Sequence, residues 1–125
     1  MSKEPTMRRR AMLTWIIPLL LFLAAGEARA HALLDRAEPR VGNTVATAPR
    51  QVTLWFTQKL EAAFSSMTVT DPAGQRVDTG KARVSGNQMS VSLRGAGPGI
   101  YRVNWRVLSV DAHSTDGNFT FQVGR

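Results

Sequence analysis

Cysteine is absent from this 125-residue chain. That absence excludes disulfide staples, thiolate zinc sites, iron–sulfur clusters and thiol nucleophiles. A transition-metal site would have to use nitrogen, oxygen or thioether donors. Thioethers are scarce as well, because beyond residue 30 the only methionines are Met67 and Met89. Both fall in strand-like patterns, where filling core gaps is their ordinary use. The same stretch has no amphipathic helical pattern, no internal repeat and no low-complexity tract. A basic cluster is also missing. The formal net charge is +7, but residues 1–30 hold Lys3, Arg8, Arg9, Arg10 and Arg29 against Glu4 and Glu27. The rest carries 11 basic and 7 acidic residues, a net of +4, scattered without the patch that a nucleic-acid surface needs.

What is present begins with an export signal. A positive region ends at Arg8-Arg9-Arg10, an apolar stretch runs from Ala11 to Ala25, and the small-x-small triplet Ala28-Arg29-Ala30 closes it. The stretch is shorter than the roughly 20 residues of a spanning helix, and Pro18 interrupts it. The reading is a signal peptide over residues 1–30, cleaved after Ala30, followed by a single domain over 31–125 in the periplasm. Cleavage there makes His31 the first residue, so its α-amine and its imidazole Nδ1 can close one chelate ring around a metal.

Beyond His31, apolar and polar residues alternate over Gln51–Thr57, Ser66–Asp71, Gln88–Arg94, Gly99–Leu108 and Asn118–Val123, the period of strands with one buried face. Turn residues separate these runs at Gly42-Asn43, Asp71-Pro72-Ala73-Gly74, Gly86-Asn87 and Gly95-Ala96-Gly97-Pro98-Gly99. Short strands so spaced predict an all-β, two-sheet antiparallel sandwich with a Greek-key path. Trp55, Phe56, Trp105, Phe119 and Phe121 are expected in its core.

The second histidine, His113, follows Asp111 by two residues in the connection before the last strand. In an extended segment these side chains share one side. With His31 they offer three nitrogens and one carboxylate oxygen, a tetragonal set suited to Cu(II), although zinc or nickel can use the same donors. Asp116 is a weaker candidate, since Asp116-Gly117 also reads as a turn.

These residues resemble the CopC family of periplasmic copper-binding proteins along the whole of 31–125. The resemblance rests on His31-Ala32-x-Leu34, Pro39 and Gly42; on Ala48-Pro49 leading into Val52-x-Leu54-x-Phe56; and on Val69-x-Asp71-Pro72-x-Gly74. It is most specific in Pro98-Gly99-x-Tyr101-x-Val103-x-Trp105-x-Val107-x-Ser109-x-Asp111-x-His113-x-x-x-Gly117-x-Phe119-x-Phe121. It implies an immunoglobulin-like β-sandwich, one Cu(II) per mature chain on His31, Asp111 and His113, and work beside a CopD-type inner-membrane copper transport protein. Two departures stand out. Gln58 replaces a glutamate common in the family, and Ala112 replaces a glycine, which suggests a loop independent of glycine-only backbone. The segment 71–81 lacks the methionines of relatives with a Cu(I) site.

The expectation is a monomeric, non-enzymatic Cu(II) carrier or buffer for homeostasis, resistance or delivery. The competing reading is a copper oxidase of polysaccharides, which also clamps copper with an N-terminal histidine.

Overall fold

The longest alternating run in the sequence, Gly99 to Leu108, becomes the central strand of one sheet in the computed structural model, which describes residues 32–95 and 97–124. The proposed signal peptide and His31 lie outside the described residues. Among the described residues eight strands form: β1 (Leu34–Glu38), β2 (Thr44–Val45), β3 (Gln51–Phe56), β4 (Ser66–Thr70), β5 (Asp78–Ser85), β6 (Gln88–Leu93), β7 (Gly99–Leu108) and β8 (Ser114–Val123). One sheet has the order β1-β3-β6-β5 and the other β2-β8-β7-β4. The chain is an all-β sandwich, as its alternation predicts.

Inward rows from both sheets make the core: Val52, Leu54 and Phe56 from β3, Met67 and Val69 from β4, Met89 and Val91 from β6, Tyr101, Val103 and Val107 from β7, and Phe119, Phe121 and Val123 from β8. Tyr101 and Phe121 are cross-strand partners and stack with centroids 5.4 Å apart. The Tyr101 hydroxyl donates to the Gly97 carbonyl, the upstream hydrogen bond of a tyrosine corner in immunoglobulin-like sandwiches. Trp105 faces Gly117 across the ladder and meets Phe56 edge-on at 5.1 Å. A Cβ on Gly117 would stand 2.5 Å from Trp105 Cζ2, so the indole occupies the space that glycine vacates. Trp55 departs from the core expectation. It is half-buried on the outer face, with the Arg36 guanidinium 3.9 Å from its ring centroid, where a cation over the π face replaces burial.

Three strands escape the sequence reading. β1 is charged and exposes all but Ala37 and, in part, Leu34. β5 lies at a sheet edge with a register break between Thr79 and Arg83, and its polar residues suit an edge that must not recruit another strand. β2 pairs with β8 in parallel, a correction to the all-antiparallel expectation. Its segment covers the free edge of β8 through Gly42 N–H to Thr120 O and Gln122 N–H to Asn43 O, each 2.8 Å.

The exposed edge of β4 is closed by a polar device. Asp78 Oδ1 accepts the Val69 N–H at 2.9 Å, and Arg76 Nη2 donates to Oδ2 at 2.6 Å. The Asp78 side chain is only 1% exposed. Burial alone would raise its carboxyl, but the hydrogen bonds from Arg76 and Val69 and the Arg76 charge outweigh burial and hold it below the usual carboxylate value. With the folded value depressed, the unfolded chain binds the proton more readily. The contribution is therefore complete above the ordinary carboxylate value and is lost as pH falls through the folded one. Asp78→Ala is expected to cost about 2 kcal/mol at neutral pH and to shrink the loss of stability on acidification, both read by denaturant titration across pH.

Candidate metal centre

Strands β7 and β8 pair over ten residues, from Gly99↔Val123 to Leu108↔Ser114. β8 thus starts four residues earlier than its apolar alternation indicates. Asp116-Gly117 is strand and not turn: Asp116 is exposed opposite Arg106, and by parity it belongs to the row facing away from that of Thr115 and Gly117. It is not a partner of His113.

The connection is a tight turn. Ala112 N–H donates to Ser109 O at 2.9 Å, and Ser109 N–H donates to His113 O at 3.0 Å. Ala112 closes it with φ +70°, a left-handed position usual for glycine in such hairpins. This corrects the expectation that alanine frees the loop from glycine-type backbone. The paired strands on both sides and the two hydrogen bonds dictate the conformation, and alanine is strained into it. It also corrects the way Asp111 and His113 meet. They converge because the chain turns, and not because it is extended.

Asp111 Oδ1 lies 3.4 Å from His113 Nδ1, and it accepts the hydroxyl hydrogen of Ser109. The Ser109 bond, opposed by a smaller desolvation effect and reinforced by His113, holds the Asp111 carboxyl below its ordinary value. It is therefore an anion at neutral pH. The Asp111 side chain is 38% exposed and that of His113 44%, so an ion reaches both from solvent. Nδ1 itself is withdrawn from solvent and is the ring nitrogen that approaches Asp111.

The start of the domain is tied to this end of the sandwich from both sheets. Thr115 Oγ1 donates to Ala32 O at 2.8 Å. Leu33 N–H donates to Thr57 Oγ1 and Leu33 O accepts the Thr57 N–H, both at 2.9 Å. Ala32 is fully buried. Thr115 lies two residues past His113, and Thr57 directly follows β3. Sequence reasoning did not single out these two threonines. Their signal was position: each stands where a strand reaches this end.

Of the three expected ligands, Asp111 and His113 are brought together, while His31 lies outside the described residues. Among the described residues no three acidic or histidine side chains converge. The carboxylate and imidazole fit a borderline divalent cation, which takes nitrogen and oxygen donors. Met67 and Met89 are buried in the core, as expected. Grooves of about 510 Å³ and 460 Å³ lie elsewhere, one lined by β4 and β5 residues and the other by Thr70, Ile100, Arg102 and Thr120.

Comparison with known proteins identifies relatives of the whole sandwich. The CopC domain model matches residues 34–124. The chain is 37% identical over 98 residues to "Protein YobA" of Escherichia coli K12, covering 75% of this chain and 79% of that protein. It is 32% identical over 123 residues to "Copper resistance protein C" of Xanthomonas campestris pv. juglandis, covering 91% and 96%. The crystal structure of CopC from Methylosinus trichosporium OB3b superposes with a TM-score of 0.69 at 31% identity, covering 74% of this chain and 93% of that one.

Relief of the backbone strain at Ala112 is measurable. Ala112→Gly is expected to stabilise the protein by about 0.5–1 kcal/mol, the left-handed penalty of alanine less the greater unfolded-state entropy of glycine. Thermal unfolding of the metal-free protein checks it, and the midpoint should rise by roughly 2–8 °C.

Proposed function

This chain belongs to the CopC family, and on that premise we propose that it is a periplasmic Cu(II)-binding protein that sequesters copper or carries it for homeostasis, resistance or delivery. Residues 1–30 act as a signal peptide cleaved after Ala30, and 31–125 form the mature domain. Copper is the cargo, one Cu(II) per chain. Its donors are the α-amine and imidazole of His31, the imidazole of His113 and the carboxylate of Asp111.

The observation that carries the reading is the hydrogen bond from Thr115 to the carbonyl of Ala32. It ties the residue after His31 to the strand that follows His113. Consecutive Cα atoms are about 3.8 Å apart, so the hydrogen bond to Ala32 acts one residue away from the proposed chelate. Ionised Asp111 beside His113 adds an anionic donor that favours retention of a divalent ion. The amine must lose its proton to bind, and its ordinary value near 7.7–8.0 makes affinity rise with pH through neutrality.

Gln58, half-buried beside Thr57, adds no charge there, so Asp111 is the anion of the donor set. A CopD-type inner-membrane copper transport protein is the proposed acceptor, and the carrier works as a monomer.

Protein beginning at His31 is expected to bind one Cu(II) with a tetragonal, nitrogen-rich electron paramagnetic resonance spectrum. One extra residue before His31 turns the amine into a peptide nitrogen. It should weaken binding by roughly 100-fold or more, beyond the usual effect of losing an outer-shell partner. Unchanged affinity in the extended protein would remove the N-terminus from the site. Reductant-dependent cleavage of a polysaccharide by the copper-loaded protein would overturn the carrier reading.

Thr115→Val tests the tether. It keeps the β-branched shape and removes the donor to Ala32, so copper affinity should fall by about tenfold while the metal-free fold persists. Equal affinity in the two proteins would show that the tether does not organise the site.

A further inference from the structure

Among the described residues, Ser109 is the one polar residue at this end of the sandwich that is fully buried. Its backbone is fixed on two sides, by the bridge to Leu60 and by the N–H bond to His113 O. Its hydroxyl has a single hydrogen and two acceptors within reach, Asp111 Oδ1 and, at 3.1 Å, His113 O. A charged acceptor binds that hydrogen more strongly than a carbonyl, and burial keeps water from competing. The hydrogen therefore belongs to Asp111.

The Ser109 hydroxyl and the approach of His113 Nδ1 at 3.4 Å both fall on Oδ1 of Asp111, and the His113 backbone N–H also favours the ionised carboxylate. Oδ2 receives neither side-chain contact. We infer that Ser109 is a positioning residue for the copper site, holding Asp111 so that Oδ2 is the oxygen offered to the ion while Oδ1 orients the His113 ring with Nε2 toward it. One buried hydroxyl thus sets the aim of two donors. The arrangement is of the kind in which a carboxylate fixes the ring and tautomer of a metal-binding histidine, here with the carboxylate itself fixed from below. The inference rests on the copper reading given above.

A double-mutant cycle in protein beginning at His31 tests it, with Cu(II) titration and the electron paramagnetic resonance spectrum as readouts. Ser109→Ala is expected to weaken Cu(II) binding about tenfold and to shift the spectrum. In an Asp111→Ala background the same change should add no more than about twofold, because Ser109 acts through Asp111. Ser109→Thr keeps the hydroxyl and should retain the wild-type spectrum, so it carries the test if the alanine variant does not fold. An equal loss in both backgrounds, or a wild-type spectrum in Ser109→Ala, would overturn the proposal. An altered spectrum in folded Ser109→Thr would also overturn it. Failure of the unmutated protein to bind Cu(II) would instead defeat the functional reading on which it rests.

Discussion

The register of the β7–β8 ladder is the constraint from which the rest follows. Ten consecutive pairs align Tyr101 with Phe121 and Trp105 with Gly117, and the same parity carries on to Thr115 near the end of that row. A slip by one residue would turn that row outward and bring the charged row in. The ladder resists such a slip because the indole of Trp105 fits only where the opposite residue has no side chain. Core packing and the aim of the site are thus set by one alignment. The tight turn at its end is a product of that alignment, since only three residues, Val110 to Ala112, separate the hydrogen-bonded Ser109 and His113.

At the site the electrostatics run in one direction. Asp111 receives a hydroxyl hydrogen from a buried serine and faces an imidazole, and both favour its charged form over the desolvation that opposes it. Asp78 at the other sheet edge follows the same logic with a guanidinium and a backbone N–H as donors. The two carboxylates nevertheless serve different ends. Asp78 is enclosed and closes a strand edge, whereas Asp111 stays open to solvent. Exposure separates the structural carboxylate from the one that can meet an ion.

Elements with two-residue alternation were legible from the sequence because burial imposes that period on them. β3, β6 and β7 end within a residue of where Phe56, Leu93 and Leu108 end the pattern. Edge elements were not legible, because nothing apolar marks a strand whose outer side is solvent. Leu34–Glu38 reads as a charged loop, and Asp78–Ser85 as a polar one. The start of β8 was hidden for a related reason: Ser114 to Gly117 carry turn-type residues, and only the partner strand makes them extended. The candidate donors Asp111 and His113, which the structure brings within 3.4 Å, were legible as chemistry from their spacing. Thr57, Ser109 and Thr115 were not, since a hydroxyl that anchors another residue has no sequence pattern until the strands are aligned.

Thr57 extends from one sheet and Thr115 belongs to the other, and both hold the two residues that open the described domain. The N-terminal segment is therefore a seam across one mouth of the sandwich. A ligand held jointly by that segment and the β7–β8 turn would act as a cross-brace, adding its binding free energy to the cohesion of the two layers. Loaded and empty molecules would then differ in how readily this mouth opens. A protease that attacks the opened form would spare the ligand-bound molecule and remove the empty one, coupling the lifetime of such a protein to occupancy of the site.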